Sequence, residues 1–189
     1  NCPINKNLLT KENIGLTEFF AAKCKIKKDS EVMLIRNEKL SVTPITTHIR
    51  LKDVSKKINK NLIINKIKTL ELWFKKYENK KPKICLLGLN PHNAELKKNS
   101  EEQKILIPVI RKLRKMGIRI NGPLSADTAF INTYKKYDVV VGMFHDQVIA
   151  PFKTLFKFNA INITLGLKYL RVSPDHGVAS DLICKKKAN

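Results

Sequence analysis

The sequence predicts an α/β protein with a mixed, largely parallel sheet layered with helices. Strand-like and helix-like segments alternate along most of the 189 residues, the pattern that builds such sheets. The strand-like runs are continuously apolar, as in "KICLLGLN" and "DVVVGMF", which suits strands covered on both faces. Each of several strand-like ends opens into a polar stretch holding His, Asp or Asn. In open α/β sheets those ends gather at one edge and carry ligands.

Taken in order, "EVMLIR" and "LSVTPIT" read as two strands. "DVSKKINKNLIINKIKTLELWFKKY" places Val54, Ile58 and Leu62, then Ile63, Ile67, Leu70 and Phe74, at helical spacing. "KICLLGLN" is a buried strand. The next helix is seeded by Asn99 or Ser100 before Glu101 and Glu102, acids that suit a helix N-terminus. It buries Leu106, Val109, Ile110, Leu113 and Met116 and ends at Gly117. There follow "IRING", a short helix-like "SADTAFINTY", the strand "DVVVGMF", a polar loop containing Pro151, and the strand "AINITLGL". No internal repeat or low-complexity linker divides the chain.

The apolar share of 43 % fits a globular domain with a real core. No run of eighteen apolar residues exists, so no membrane partner is expected. Cys2, Cys24, Cys85 and Cys184 are scattered without a CxxC pair; they read as reduced thiols of a cytoplasmic protein. The net charge of +21 comes from 31 Lys and only 6 Arg spread over the whole length. Sequence readers of nucleic acid concentrate Arg and interleave aromatics. Specific nucleic acid is therefore not an expected partner, whereas anionic small molecules are. The absent initiator Met and the "KKKAN" ending suggest a central and C-terminal portion, residues 1–189, of a longer two-subdomain protein whose upstream segment is missing.

In "VVVGMFHDQVIAPFK" the apolar run stops at His145, Asp146 and Gln147. His48 and His92 occupy equivalent places after "SVTPITT" and "KICLLGLNP". Three imidazoles converging from strand ends can hold a divalent cation and leave coordination positions free. His176, in "SPDHG", stands apart as a turn or supporting histidine. No GxG pair occurs, so a standard dinucleotide fingerprint is absent. Lys153, Asn162 and Arg171 recur nine apart and can grip a phosphate or carboxylate, Arg171 as a fork and Lys153 as a point charge.

The strings "GLNPH", "NGPLSADT", "MFHDQVIAPFK" and "NITLGLKYLRVSPDHG" closely resemble the family of 4-hydroxythreonine-4-phosphate dehydrogenases of pyridoxal phosphate synthesis. The resemblance runs from "PINK" through "DHG". It implies an isocitrate/isopropylmalate dehydrogenase-like architecture, NAD as cofactor, and a divalent cation such as zinc, magnesium or cobalt on His48, His92 and His145. It implies substrate contacts from Thr17, Lys153, Asn162 and Arg171, and catalytic roles for Asp127 and Asp146 as proton acceptor or as orienter of a ligand histidine. The expected substrate is a small phosphorylated amino acid, 4-phosphooxy-L-threonine, oxidised and then decarboxylated to 3-amino-2-oxopropyl phosphate. The expected assembly is a homodimer with the site near the interface.

Two departures stand out. Leu16 occupies a position where the family usually has histidine, and "NAELKKNSEE" replaces its glycine-rich loop. They keep open a related dehydrogenase of another phosphorylated hydroxy acid, such as phosphothreonate, or a portion that is inactive alone.

Overall fold

The computed structural model describes residues 16–27 and 29–176. Thirteen main elements alternate: α1 (Leu16–Lys23), β1 (Val32–Arg36), β2 (Ser41–Pro44), α2 (Leu51–Lys57), α3 (Lys60–Glu78), β3 (Ile84–Leu87), α4 (Ile107–Lys115), β4 (Ile120–Leu124), α5 (Ala126–Ala129), β5 (Val139–Gly142), α6 (His145–Phe156), β6 (Ile161–Leu165) and β7 (Arg171–Pro174). The seven strands form one sheet in the order β4-β3-β5-β2-β1-β6-β7. Pairings β4-β3, β3-β5 and β5-β2 are parallel, while β2-β1, β1-β6 and β6-β7 are antiparallel. Following these senses along the sheet, only β1 and β7 oppose the rest, so the sheet is mixed and largely parallel.

Alternation along each strand divides the core into two layers. Val32 and Leu34 of β1, with Val139 and Val141 of β5, face α2, α3 and α4, whose Ile63, Phe74 and Leu113 are buried against them. Met33, Ile35 and Val140 face the other way, toward Val148, Ile149 and Phe152 of α6. Helices thus cover both faces. Among the described residues no helix is long and apolar enough to cross a membrane.

Four sequence expectations change, the simplest being Met116, expected on a buried helix face but exposed at the end of α4. The long helical pattern is two helices, because Asn59 takes an extended conformation (φ −149°) and its side chain accepts the Leu62 N–H at 2.9 Å, capping α3. The polar loop around Pro151 is instead helix α6, with Pro151 inside it. Pro removes one backbone donor, but burial of Val148, Ile149 and Phe152 outweighs that loss, as packing usually decides helix formation. The segment after "NITLGL" supplies an edge strand, β7, whose exposed Val172 hid the strand pattern. Gly117, by contrast, ends α4 as expected, at φ +82°.

Cys85 lies in the layer under α6, and burial pushes its thiol up to about 12. The thiolate is the reactive form. Cys85 is therefore expected to resist iodoacetamide at pH 8 in the folded protein and to react in denaturant; peptide mass mapping checks this, and rapid native labelling would contradict it.

Candidate functional site

Strands β3, β5 and β2 are parallel neighbours, in register at Leu86↔Val141 and Pro44↔Gly142. Their C-terminal ends therefore emerge side by side, and these ends carry His92, His145 and His48. The His48 and His145 rings lie 6.0 Å apart. His145 is the first residue of α6, and its Nδ1 lies 2.8 Å from Asp146 Oδ1. His92 is drawn elsewhere: its Nε2 lies 4.0 Å from Asp127 Oδ2, both side chains more than half exposed. His92 and Asp127 line a cleft of about 590 Å³ together with Leu89, Asn90, Phe144 and Gln147.

The wall of this cleft is held by two side chains whose importance no spacing rule revealed. Gln147 Nε2 donates to the Gly88 carbonyl at 2.7 Å, and its Oε1 accepts the Met143 N–H at 2.6 Å, tying the end of β5 to the end of β3. Glu102 is fully buried. Its Oε1 accepts the Leu89 and Asn90 backbone N–H groups at 2.9 Å each, and Asn90 Nδ2 donates to Oε2 at 3.1 Å. Burial alone would raise the Glu102 carboxyl; the hydrogen bonds from Asn90 and Leu89 outweigh it and hold the group below its ordinary value. The sequence marked Glu102 only as a helix-start acid.

Beyond Asn90, His92, Asn93, Ala94 and Glu95 turn with φ of 49–56°, a left-handed path that residues with a side chain adopt at a cost of roughly 1–2 kcal/mol each. Asn93 Nδ2 anchors this turn by donating to the Pro123 carbonyl at 3.1 Å. A Cβ at Gly88 would lie 2.0 Å from Asn93 Oδ1, so a larger residue there would have to displace the Asn93 side chain.

The second group of expected residues lies at the antiparallel end of the sheet. Thr164 pairs with Met33 and Arg171, and Asn162 pairs with Ile35 and Ser173. Directly opposed residues share a face, here the face covered by α6. Arg171 Nη1 donates to Thr164 Oγ1 at 2.8 Å, and its guanidinium stands 5.2 Å over the Phe20 ring. Thr17, buried, is one turn from Phe20 on α1. Lys153, two turns along α6 from His145, donates through Nζ to Asp175. Leu16 begins α1.

The expected site residues thus form two neighbouring sets, imidazoles with carboxylates at the strand ends and cations with amides beside β6 and β7, about 12 Å apart along α6. The three histidines do not form a single ligand set within this chain: among the described residues no group of three His, Cys, Asp or Glu side chains is placed to hold a metal ion.

The whole chain, residues 1–189, matches the family model described as pyridoxal phosphate biosynthetic protein PdxA. The chain belongs to this family. A relative from Sulfurihydrogenibium sp. (strain YO3AOP1), named 4-hydroxythreonine-4-phosphate dehydrogenase, is 43 % identical over 99 % of the chain and 59 % of its own length. A relative of the same name from Aquifex aeolicus is 42 % identical over 98 % of the chain and 58 % of its own length. The chain therefore spans under two thirds of these relatives. The crystal structure of 4-hydroxythreonine-4-phosphate dehydrogenase from Klebsiella pneumoniae superposes with a TM-score of 0.81 at 34 % identity, covering 96 % of this chain and 56 % of that one.

Proposed function

We propose that the protein oxidises 4-phosphooxy-L-threonine, with NAD as hydride acceptor, within pyridoxal phosphate synthesis. The observation that carries this reading is the gathering of Asn162 and Arg171 on the sheet face that α6 covers, with Lys153 on that helix, along from the strand ends that present two histidine–carboxylate pairs. Arg171, Lys153, Asn162 and Thr17 hold the anionic ends of the substrate. Fixing those ends places the hydroxyl-bearing carbon for transfer.

Oxidation removes a hydride from that carbon to NAD and a proton from its hydroxyl. The resulting β-keto acid then loses carbon dioxide to give 3-amino-2-oxopropyl phosphate. Asp146 is engaged with His145 and orients it. Asp127 is too far from His92, at 4.0 Å, to be consumed by a hydrogen bond and faces the cleft. Asp127 is accordingly assigned as the proton acceptor. His48 and His145 supply two imidazole donors but need more to bind zinc, magnesium or cobalt. A homodimer with the site at its interface would supply the remainder, and no chemical step here depends on it.

The test is formation of NADH, followed at 340 nm, by the full-length protein with 4-phosphooxy-L-threonine and NAD. Arg171→Ala is expected to weaken substrate binding by roughly 1.5–3 kcal/mol, the value of one charge-assisted contact. No NADH from the wild-type protein, with each of the three cations supplied in turn, would overturn the assignment.

A further inference from the structure

The parallel strands also share a second edge, opposite the histidines. β3, β4 and β5 start side by side, with Ile84 paired to both Ile120 and Val139, and their N-terminal ends open onto a cleft of about 480 Å³. Strands of four residues, β3 and β5, separate this cleft from the histidine edge by about 13 Å. Lys83, Arg114, Arg119 and Lys136 line it together with Ile118 and Tyr137, and among the described residues no carboxylate lines it. The adjacent Asp138 is already engaged: its Oδ1 accepts from Lys80 Nζ at 2.9 Å and its Oδ2 accepts the Lys83 N–H at 2.7 Å. Arg114 is braced, Nε donating to the Ile120 carbonyl at 2.8 Å and Nη2 to Asn121 Oδ1 at 2.9 Å, which leaves the rest of its fork open. The Arg119 and Lys136 side chains make no hydrogen bond or ion pair among the described residues. Cations that converge without a counter-charge repel one another, and a concave wall of one sign focuses their field. A bound anion relieves that repulsion.

We propose that this cleft binds a phosphorylated small molecule carrying a flat ring, at a site separate from both the strand-end histidines and the Lys153, Asn162 and Arg171 group. Its volume falls in the range of small-ligand sites. Arg114 and Arg119 present forked donors to phosphate oxygens, while Lys83 and Lys136 add point charges. Tyr137 is half-buried and packs against the layer under α6, so its ring is a fixed apolar wall beside the charges. With Ile118 it receives the flat part of the ligand. Occupancy does not depend on which substrate is oxidised at the other edge.

Isothermal titration calorimetry on the full-length protein tests this, with phenyl phosphate as probe and inorganic phosphate for comparison. Arg171→Ala is the background, because it weakens the competing anion site at the far end of the sheet. Phenyl phosphate is expected to bind several-fold tighter than inorganic phosphate, the scale of a ring contact. Arg119→Ala with Lys136→Ala should weaken it by about tenfold or more, the scale of a charge-assisted contact; both side chains are exposed, so the fold is expected to tolerate their loss. Lys75→Ala with Lys76→Ala, an exposed pair at the end of α3, should leave binding unchanged. Tyr137→Leu should bring the two anions within about twofold of each other. Unchanged affinity in Arg119→Ala with Lys136→Ala would overturn the proposal, as would the absence of binding by phenyl phosphate. An equal loss in the α3 pair would overturn it too, reducing the effect to net charge. Equal affinity for the two anions before Tyr137 is altered, or a preference that survives in folded Tyr137→Leu, would overturn the assignment of a ring-bearing ligand.

Discussion

Asp127→Asn is expected to lower kcat by about 10²–10⁴-fold, the usual contribution of a positioned proton acceptor, while leaving KM within a few fold. Asparagine keeps the shape of the side chain and its ability to accept the Thr128 N–H, which Asp127 Oδ1 does now at 2.9 Å. What it loses is the capacity to take a proton. A change in KM with kcat preserved would place Asp127 among the binding groups instead. The companion variant Asp146→Asn separates the two carboxylates. Asp146 meets His145 at 2.8 Å, so its loss should act through the orientation of that ring and lower the affinity for added divalent cation, read by calorimetry without turnover.

Glu102→Leu is expected to destabilise the folded chain by about 2–4 kcal/mol, because two backbone donors, the N–H groups of Leu89 and Asn90, lose their acceptor at roughly 1–2 kcal/mol each in this partly buried loop. Glu102→Gln should fall between, since the amide oxygen can replace one carboxylate oxygen but not the charge. The pH dependence has a defined sign. The folded-state value of Glu102 lies below its ordinary 4.5, so its contribution is fully present above about pH 4.5 and is lost as pH falls through the lowered folded value. Asp138, lowered by the hydrogen bonds and charges of Lys83 and Lys80 against the opposing effect of burial, adds to the same acid limb. Glu102→Gln should flatten that limb without removing it. Urea unfolding at successive pH values reads both effects; parallel curves for wild type and Glu102→Gln below pH 4.5 would contradict the role assigned to the carboxylate.

Much of the architecture was legible because the strands are short, apolar and separated by helical patterns, so the apolar pattern located five of the seven outright and left β4, in "IRING", unassigned. The seventh, β7, alternates half-buried and exposed residues at the rim of the sheet, where little burial is available to shape the sequence. Pro151 misled for a local reason: proline is scored by the hydrogen bond it removes, whereas Val148, Ile149, Phe152 and Phe156 stand at helical spacing and pack together against Met33, Ile35 and Val140, which outweighs that loss. At the site, the chemistry-bearing residue types were readable and their grouping was not. Strand order puts His48 beside His145, and a left-handed turn sends His92 to Asp127. Neither fact is encoded in a spacing. Glu102, Gln147 and Asp175 act through contacts to backbone or to residues at least 12 positions away, except for the short Gln147 link to Met143, and such partners have no sequence pattern.

The parallel junction of β2 with β5 also sets the timing of events. β1 and β2 are joined by a tight turn in which Asn37 accepts the N–H groups of Lys39 and Leu40, and β3, α4 and β4 follow one another directly along the chain. Both units can form from nearby residues. Thr46 Oγ1 meets the Met143 carbonyl only after a span of 97 positions has been gathered, the slowest kind of closure. The seam that brings His48 to His145, inside the sheet, is thus sealed late, after its supporting walls exist.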